Sequence, residues 1–120
     1  MIRILGEDSL SDYSSNTDFV YSLCPGMSNG ELLADLVLSS AAVSVLEKAK
    51  TPDEKKVMWE AVSGIEKRRM KGSSSISYLH LLSEAGNNIN LVCKCREKDY
   101  CVRSIVYDLL LERGTEVFIG

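Results

Sequence analysis

A chain of 120 residues with 45% apolar and 26% charged side chains has the make-up of one soluble globular domain, residues 1–120, with material for a core. A formal net charge of −3 excludes a protein that coats nucleic acid by bulk electrostatics, so a nucleic-acid contact would have to be a local patch. No apolar run approaches the roughly 18 residues of a membrane span, and Met1-Ile-Arg-Ile-Leu-Gly-Glu-Asp8 lacks the pattern of a signal peptide, which predicts a cytoplasmic chain with no membrane partner.

Ile2-Arg-Ile-Leu5 is a β-prone run closed by Gly6, and the Asp/Ser/Asn-rich stretch from Glu7 to Thr17 has the composition of a surface loop. Phe19-Val-Tyr-Ser-Leu23 reads as a second strand stopped by Cys24-Pro25-Gly26. Ser28-Asn-Gly-Glu31 matches a capping box, which predicts a helix carrying Leu32, Leu33, Leu36 and Val37 on one face. Ser39-Ser40 predicts the cap of a second short helix, with Val43, Leu46 and Ala49 inward. Thr51-Pro-Asp-Glu54 combines a capping threonine, proline at the first helical position and glutamate at the third, so a long helix should follow.

The inner stripe expected for that helix is Val57, Met58, Ala61, Val62 and Ile65, with Trp59 beside it and an end near Met70. The basic run Lys67-Arg-Arg-Met-Lys71 fits the C-terminal end of a helix, where cations complement the dipole, better than a nucleic-acid patch. Ile76, Leu79, Leu82 and Ala85 form the stripe of another helix, closed by Gly86 and Asn87. The period then changes. Ile89 to Cys95 is strand-like, Val102, Ile105, Val106, Leu109 and Leu110 are a helical stripe, Gly114 is a stop, and Thr115 to Ile119 is a last strand. The pattern predicts an α/β fold: a small layered Rossmann-like domain of about four mainly parallel strands covered by helices.

Chemistry concentrates at one strand-to-helix junction, Lys94 to Arg103. Arg96, Lys98 and Arg103, with the exposed N–H groups near Cys101, lie at the expected N-terminus of a helix, a ready anion site, with Glu97 and Asp99 balancing two of the charges. The expected ligand is a phosphate-bearing small molecule, such as a nucleotide, or a nucleic-acid end. Cys101 at the same helix start has its thiolate favoured, making it the candidate nucleophile of a thiol-dependent enzyme or redox protein, with Cys93 or Cys95 as resolving partner.

The spacing C-x-C-x5-C departs from the usual metal knuckle, so no metal and no cofactor is expected. The alternative ligand set is Cys24, Cys93, Cys95 and Cys101, with His80 competing for the fourth place. His80, the sole histidine, sits among Tyr78, Leu79, Leu81 and Leu82 and reads as structural. If the strands ending at Cys24 and Cys95 are parallel neighbours, Cys24 should lie nearer Cys95 or Cys101 than His80, with Arg103 facing the space between them. No dinucleotide-binding glycine motif, phosphate-binding loop or metalloprotease helix occurs. A homo-oligomeric scaffold without a small ligand is the third reading.

The run Leu91-Val-Cys93, followed after seven residues by Cys101-Val-Arg103 and a helix ending in Arg113-Gly114, resembles the domain-of-unknown-function family numbered 488. Its members carry L-L-C, then an acidic residue two positions on, then Cys-His-Arg opening the last helix. The segment Leu33-Ala-Asp-Leu-Val-Leu-Ser39-Ser40 and the helix from Thr51 are similar to the same family, so the resemblance spans residues 19 to 120. Two positions depart from it: Val102 stands where the family has histidine, and Cys95 where it has an acid. The resemblance implies an α/β fold and the location of a site, and no particular reaction.

Overall fold

The computed structural model describes residues 1–27, 30–95 and 100–120. Five parallel strands make its sheet: β1 (Ile2–Gly6), β2 (Phe19–Ser22), β3 (Glu31–Leu32), β4 (Ile89–Cys93) and β5 (Val117–Ile119). They lie in the order β3-β2-β4-β1-β5. All neighbouring pairs are parallel, with Ile89 opposite both Ile2 and Phe19. The central strand β4 is buried at every residue, as the unbroken run Ile-Asn-Leu-Val-Cys requires of a parallel strand covered on both faces. Asn90 is the polar member, and its Nδ2 donates to Thr17 Oγ1 at 2.8 Å and to the Tyr13 carbonyl at 3.3 Å.

Among the described residues, four α-helices cover the sheet: α1 (Ser40–Glu47), α2 (Pro52–Lys71), α3 (Ser74–Glu84) and α4 (Val102–Glu112). Thr51 caps α2 by accepting from the Glu54 N–H, and the Glu54 carboxylate returns to the Lys50 N–H. Gly86 and Gly114 take φ of 91° and 75° just beyond α3 and α4. There the N–H groups of Asn87 and Thr115 reach back to the carbonyls of Leu82 and Leu110, the C-terminal motif that needs a residue with positive φ. Trp59, Ile76, Leu79, Leu91, Ile105 and Leu109 belong to one core.

The structure corrects four expectations. The layered α/β sheet of parallel strands is as expected, and its fifth strand among the described residues comes from Glu31–Leu32, which forms β3 instead of opening a helix. Its Gly30 lies so close to β2 that a Cβ there would stand 2.4 Å from the Val20 carbonyl oxygen, and the Leu33 N–H donates to Ser22 O. Ser28, the expected cap, lies outside the described residues; a 3-10 turn at Ala34–Leu36 is all the helix that follows. Glu7–Asn16 carries 3-10 turns, interrupted by non-helical backbone at Tyr13, where a surface loop was expected. Val43 points outward from α1, while Ala42 and, as expected, Leu46 pack inward.

The inner face of α2 is Trp59, Val62, Glu66 and Met70, whereas Val57 and Ile65 are 66% and 60% exposed. The displaced stripe has a polar cause. Glu66, 3% exposed, accepts from the Ser39 N–H at 2.6 Å and from Arg69 Nε at 2.9 Å, so the face that meets the start of α1 is the one bearing this carboxylate. Among the described residues, no helix is long and apolar enough to cross a membrane.

Candidate functional site

The sheet order makes a crevice. From β2 the chain runs outward to the edge strand β3, whereas from β4 it runs the opposite way, through α4 to β5 beyond β1. The connections therefore diverge between the carboxyl ends of β2 and β4, the place where open α/β sheets admit ligands. Cys24 follows β2, Cys93 ends β4, Cys95 lies two residues on, and Cys101 is the N-cap of α4. All four cysteines of the sequence meet there as free thiols.

The distances are short. Cys93 Sγ lies 3.4 Å from both Cys95 Sγ and Cys101 Sγ. The sulfurs of Cys24, Cys93 and Cys95 all lie within 4.8 Å of one another. Cys93 and Cys101 are fully buried and Cys24 nearly so, while Cys95 reaches the surface. Strand alternation explains one pair, since residues two apart project to the same face.

Packing thiols together divides their acidities. Hydrogen bonds from Cys93 and then Cys95 bring Cys24 down to about 3, against the opposing effect of burial, with the Lys94 N–H helping. Cys95 is lowered to about 7, chiefly through its hydrogen bond with Cys101. Cys93 is pushed strongly up, because it is the donor to Cys101, Cys24 and Cys95 and is also buried. The hydrogen bond from Cys93 works to lower Cys101, but the bond to Cys95 and burial outweigh it, and Cys101 ends raised. The balance of hydrogen bonding and burial within the cluster thus favours the thiolate form at Cys24 and Cys95 and disfavours it at Cys101.

Cys24 and Cys95 line a cavity of about 650 Å³, walled by Leu23, Pro25, Val37 and Leu38, by Val43, Ser44 and Glu47 of α1, and by Lys94 and Val102. The outward turn of Val43 is accounted for here, as part of the cavity wall. A second cavity of about 480 Å³ adjoins, bounded by Lys94, Cys95 and Arg103 on one side and by Gly6, Glu7 and Asp8 on the other. The segment Lys94-Cys95 forms part of both walls.

Arg103 stands in the second cavity, not in the space among the thiols. It is 3% exposed, and its Nη2 donates to the Cys95 carbonyl at 2.6 Å and its Nη1 to the Gly120 carbonyl at 3.3 Å. Lys94 Nζ donates to the Pro25 carbonyl at 3.1 Å. Arg96 and Lys98, the other expected anion ligands, lie outside the described residues. His80 Nδ1 pairs with Thr115 Oγ1 at 2.6 Å, which ties α3 to the segment before β5 and uses the ring structurally. Cys24 does join Cys95, through the parallel pairing of β2 with β4.

Sequence reasoning missed the exposed role of Cys95 and the cavity beside it. The neighbouring Cys101 drew attention as a helix start, yet its burial under Val102 and the α4 stripe leaves it without access. The cavity wall from α1 had no signal in the sequence, because it depends on which face of a short helix turns outward.

The family model for DUF488-N3a, described as the active DUF488-N3 subclade, matches residues 31–114. No curated protein matches the chain. No solved structure matches it either.

Proposed function

From the premise that the chain belongs to the DUF488-N3a family, the active DUF488-N3 subclade, we propose that its working centre is the thiol cluster and that the protein performs thiol–disulfide exchange. The observation that carries this reading is the convergence of four reduced thiols at the crevice between β2 and β4, with two of them, Cys24 and Cys95, on the wall of a cavity. Cys95 is the attacking thiol, since it alone is at the surface. Cys24 resolves, since it shares the cavity wall and its sulfur lies within 4.8 Å of Cys95.

The electrons balance with a disulfide-bearing co-substrate. The Cys95 thiolate attacks one sulfur of R–S–S–R, forming a mixed disulfide and expelling RS⁻. Cys24 thiolate then attacks the Cys95 sulfur, forming the Cys24–Cys95 disulfide and expelling the second RS⁻. The two protons given up by the cysteines end on the two leaving thiols. The substrate is reduced by two electrons, and the protein is oxidised by the same two.

A phosphate-binding reading of the Lys94 to Arg103 junction has less support. Both terminal nitrogens of Arg103 are engaged with carbonyl groups, and the cavity beside it is rimmed by Glu7 and Asp8. Inorganic phosphate or nucleotide that raised the melting temperature, and ceased to do so in Arg103→Ala, would restore it.

An aromatic disulfide reagent tests exchange. Wild type should release two thiols per chain and carry a Cys24–Cys95 bridge by peptide mapping, Cys24→Ser should stop at the mixed disulfide on Cys95, and Cys95→Ser should lose the fast phase. A fast phase that survives Cys95→Ser would sink the assignment.

A further inference from the structure

We infer that the four cysteines also form one mononuclear metal site, a tetrathiolate for a thiophilic divalent cation of the zinc class. The inference goes beyond thiol–disulfide exchange and needs only the same convergence of side chains. Three separate places in the chain supply the ligands: the turn after β2, the end of β4 with the residue two beyond it, and the cap of α4.

Distance is the first argument. A zinc–sulfur bond of about 2.3 Å in a tetrahedron sets neighbouring sulfurs about 3.8 Å apart. Cys93 lies 3.4 Å from Cys95 and from Cys101, and Cys24, Cys93 and Cys95 fall within 4.8 Å of one another. Closing on an ion needs Cys101 Sγ, which is not within 4.8 Å of all three of the others, to move toward Cys24 and Cys95, while those two, beyond the strand ends, close on Cys93. Sulfurs this near one another enclose a single ion and leave no room for an inorganic cluster.

Donor chemistry is the second argument. Sulfur-only ligands in tetrahedral array select zinc and exclude hard cations such as magnesium and calcium, which need oxygen. Charge is the third. Four thiolates around a divalent ion carry a net −2, which the positive end of α4 at Cys101 and the neighbouring Lys94 partly offset. An ordinary core role would explain buried Cys93 and Cys101, but not why Cys24 and the surface residue Cys95 join them.

Binding forms four metal–sulfur bonds, breaks the ion's bonds to water, and passes the protons of any protonated thiols to solvent, with no change of oxidation state. An occupied site has no free thiolate, so the ion would hold exchange off until it leaves. That is the functional consequence of the inference.

The test is a Co(II) titration of the reduced, metal-free full chain. The expected result is saturation at one ion per chain, with the visible absorption of tetrahedral cobalt, a near-ultraviolet thiolate-to-cobalt band, and stoichiometric displacement by Zn(II). Cys24→Ser and Cys95→Ser should each weaken cobalt binding by more than the roughly 10- to 100-fold that loss of an outer-shell partner costs. If Cys24→Ser does not fold by circular dichroism, the surface variant Cys95→Ser decides. No uptake by the folded chain, a weak octahedral spectrum without the thiolate band, or binding unchanged in Cys95→Ser would overturn the site. Alkylation of Cys95 in the same metal-free samples separates the two readings. Reactive Cys95 without cobalt uptake overturns the metal site alone, and cobalt uptake with inert Cys95 overturns exchange alone.

Discussion

Arg103 shows how one side chain serves the site without touching its sulfurs. It is buried among β1, β4 and the chain end, and its guanidinium bridges the Cys95 and Gly120 carbonyls. The first contact fixes the backbone where Cys95 emerges. Gly6 lets the fork pass, since a Cβ there would lie 3.2 Å from Nη1. Arg103→Ala strips a charged donor from two part-buried acceptors and should cost about 1.5–3 kcal/mol. Urea denaturation would measure it, and Cys95 should also label faster in the native variant as its backbone loosens. Arg103→Lys should recover only part of the loss, because an ammonium group cannot reproduce the planar fork. A variant as stable as wild type would mean that the bridge contributes nothing.

At the scale of elements, the junction of α1 with α2 depends on a buried carboxylate. Burial works to raise the Glu66 pKa, but the Arg69 hydrogen bond and the Ser39 N–H outweigh it and hold it below the usual value of 4.5. Asp35 is held below 3.8 in the same way by Ser73 and Ser75 against its burial. A folded pKa below the unfolded one means that the native state binds the proton less readily. The stabilisation is therefore fully present above the unfolded value and is lost as pH falls through the folded one. Melting temperature against pH should drop from about pH 5 downward in wild type. In Glu66→Gln it should start lower at neutral pH, by about 1 kcal/mol of stability, and converge with wild type in acid. Parallel curves would show that Glu66 does not govern the acid limb.

The same junction marks where the sequence was legible and where it was not. The ends of α2, α3 and α4 could be read because capping threonine, proline and glycine act within a few residues of themselves. The central strand could be read because a strand covered on both faces must be continuously apolar apart from Asn90. The inner face of α2 could not, because Glu66 looks like a solvent residue until its partners on α1 are known. Ser28 to Glu31 misled for a related reason. The local pattern fits a helix start, but Gly30 against the Val20 backbone and the pairing with β2 are long-range facts that override it. The site divides likewise: Cys93, Cys95 and Cys101 were visible as a group and Cys24 followed from parallel pairing. The turn of Arg103 toward Gly120 depended on the chain end returning beside β1.

For the whole molecule, the sheet ties together residues far apart in sequence. β1 lies between β4 and β5, so the first strand is held by the last two. The Met1 amino group donates to the Asn87 carbonyl, and the Gly120 N–H donates to Ile4 O. Few contacts of this kind can form until distant segments meet, which makes the sheet slow to assemble and cooperative once made. We propose on this basis that the chain is one folding unit. Its sole tryptophan, Trp59, is 7% exposed on α2, Cys93 and Cys101 are fully buried at the crevice, and all three share the core with Leu91. Trp59 fluorescence, far-ultraviolet circular dichroism and reactivity of the buried thiols should therefore report one urea midpoint. Leu91→Ala, at a fully buried position in the central strand, should lower that midpoint equally for all three probes, corresponding to about 2–5 kcal/mol. Thiols that became reactive well before Trp59 was exposed would divide the molecule, giving the crevice an opening transition of its own and leaving α2 packed while the thiol cluster came apart.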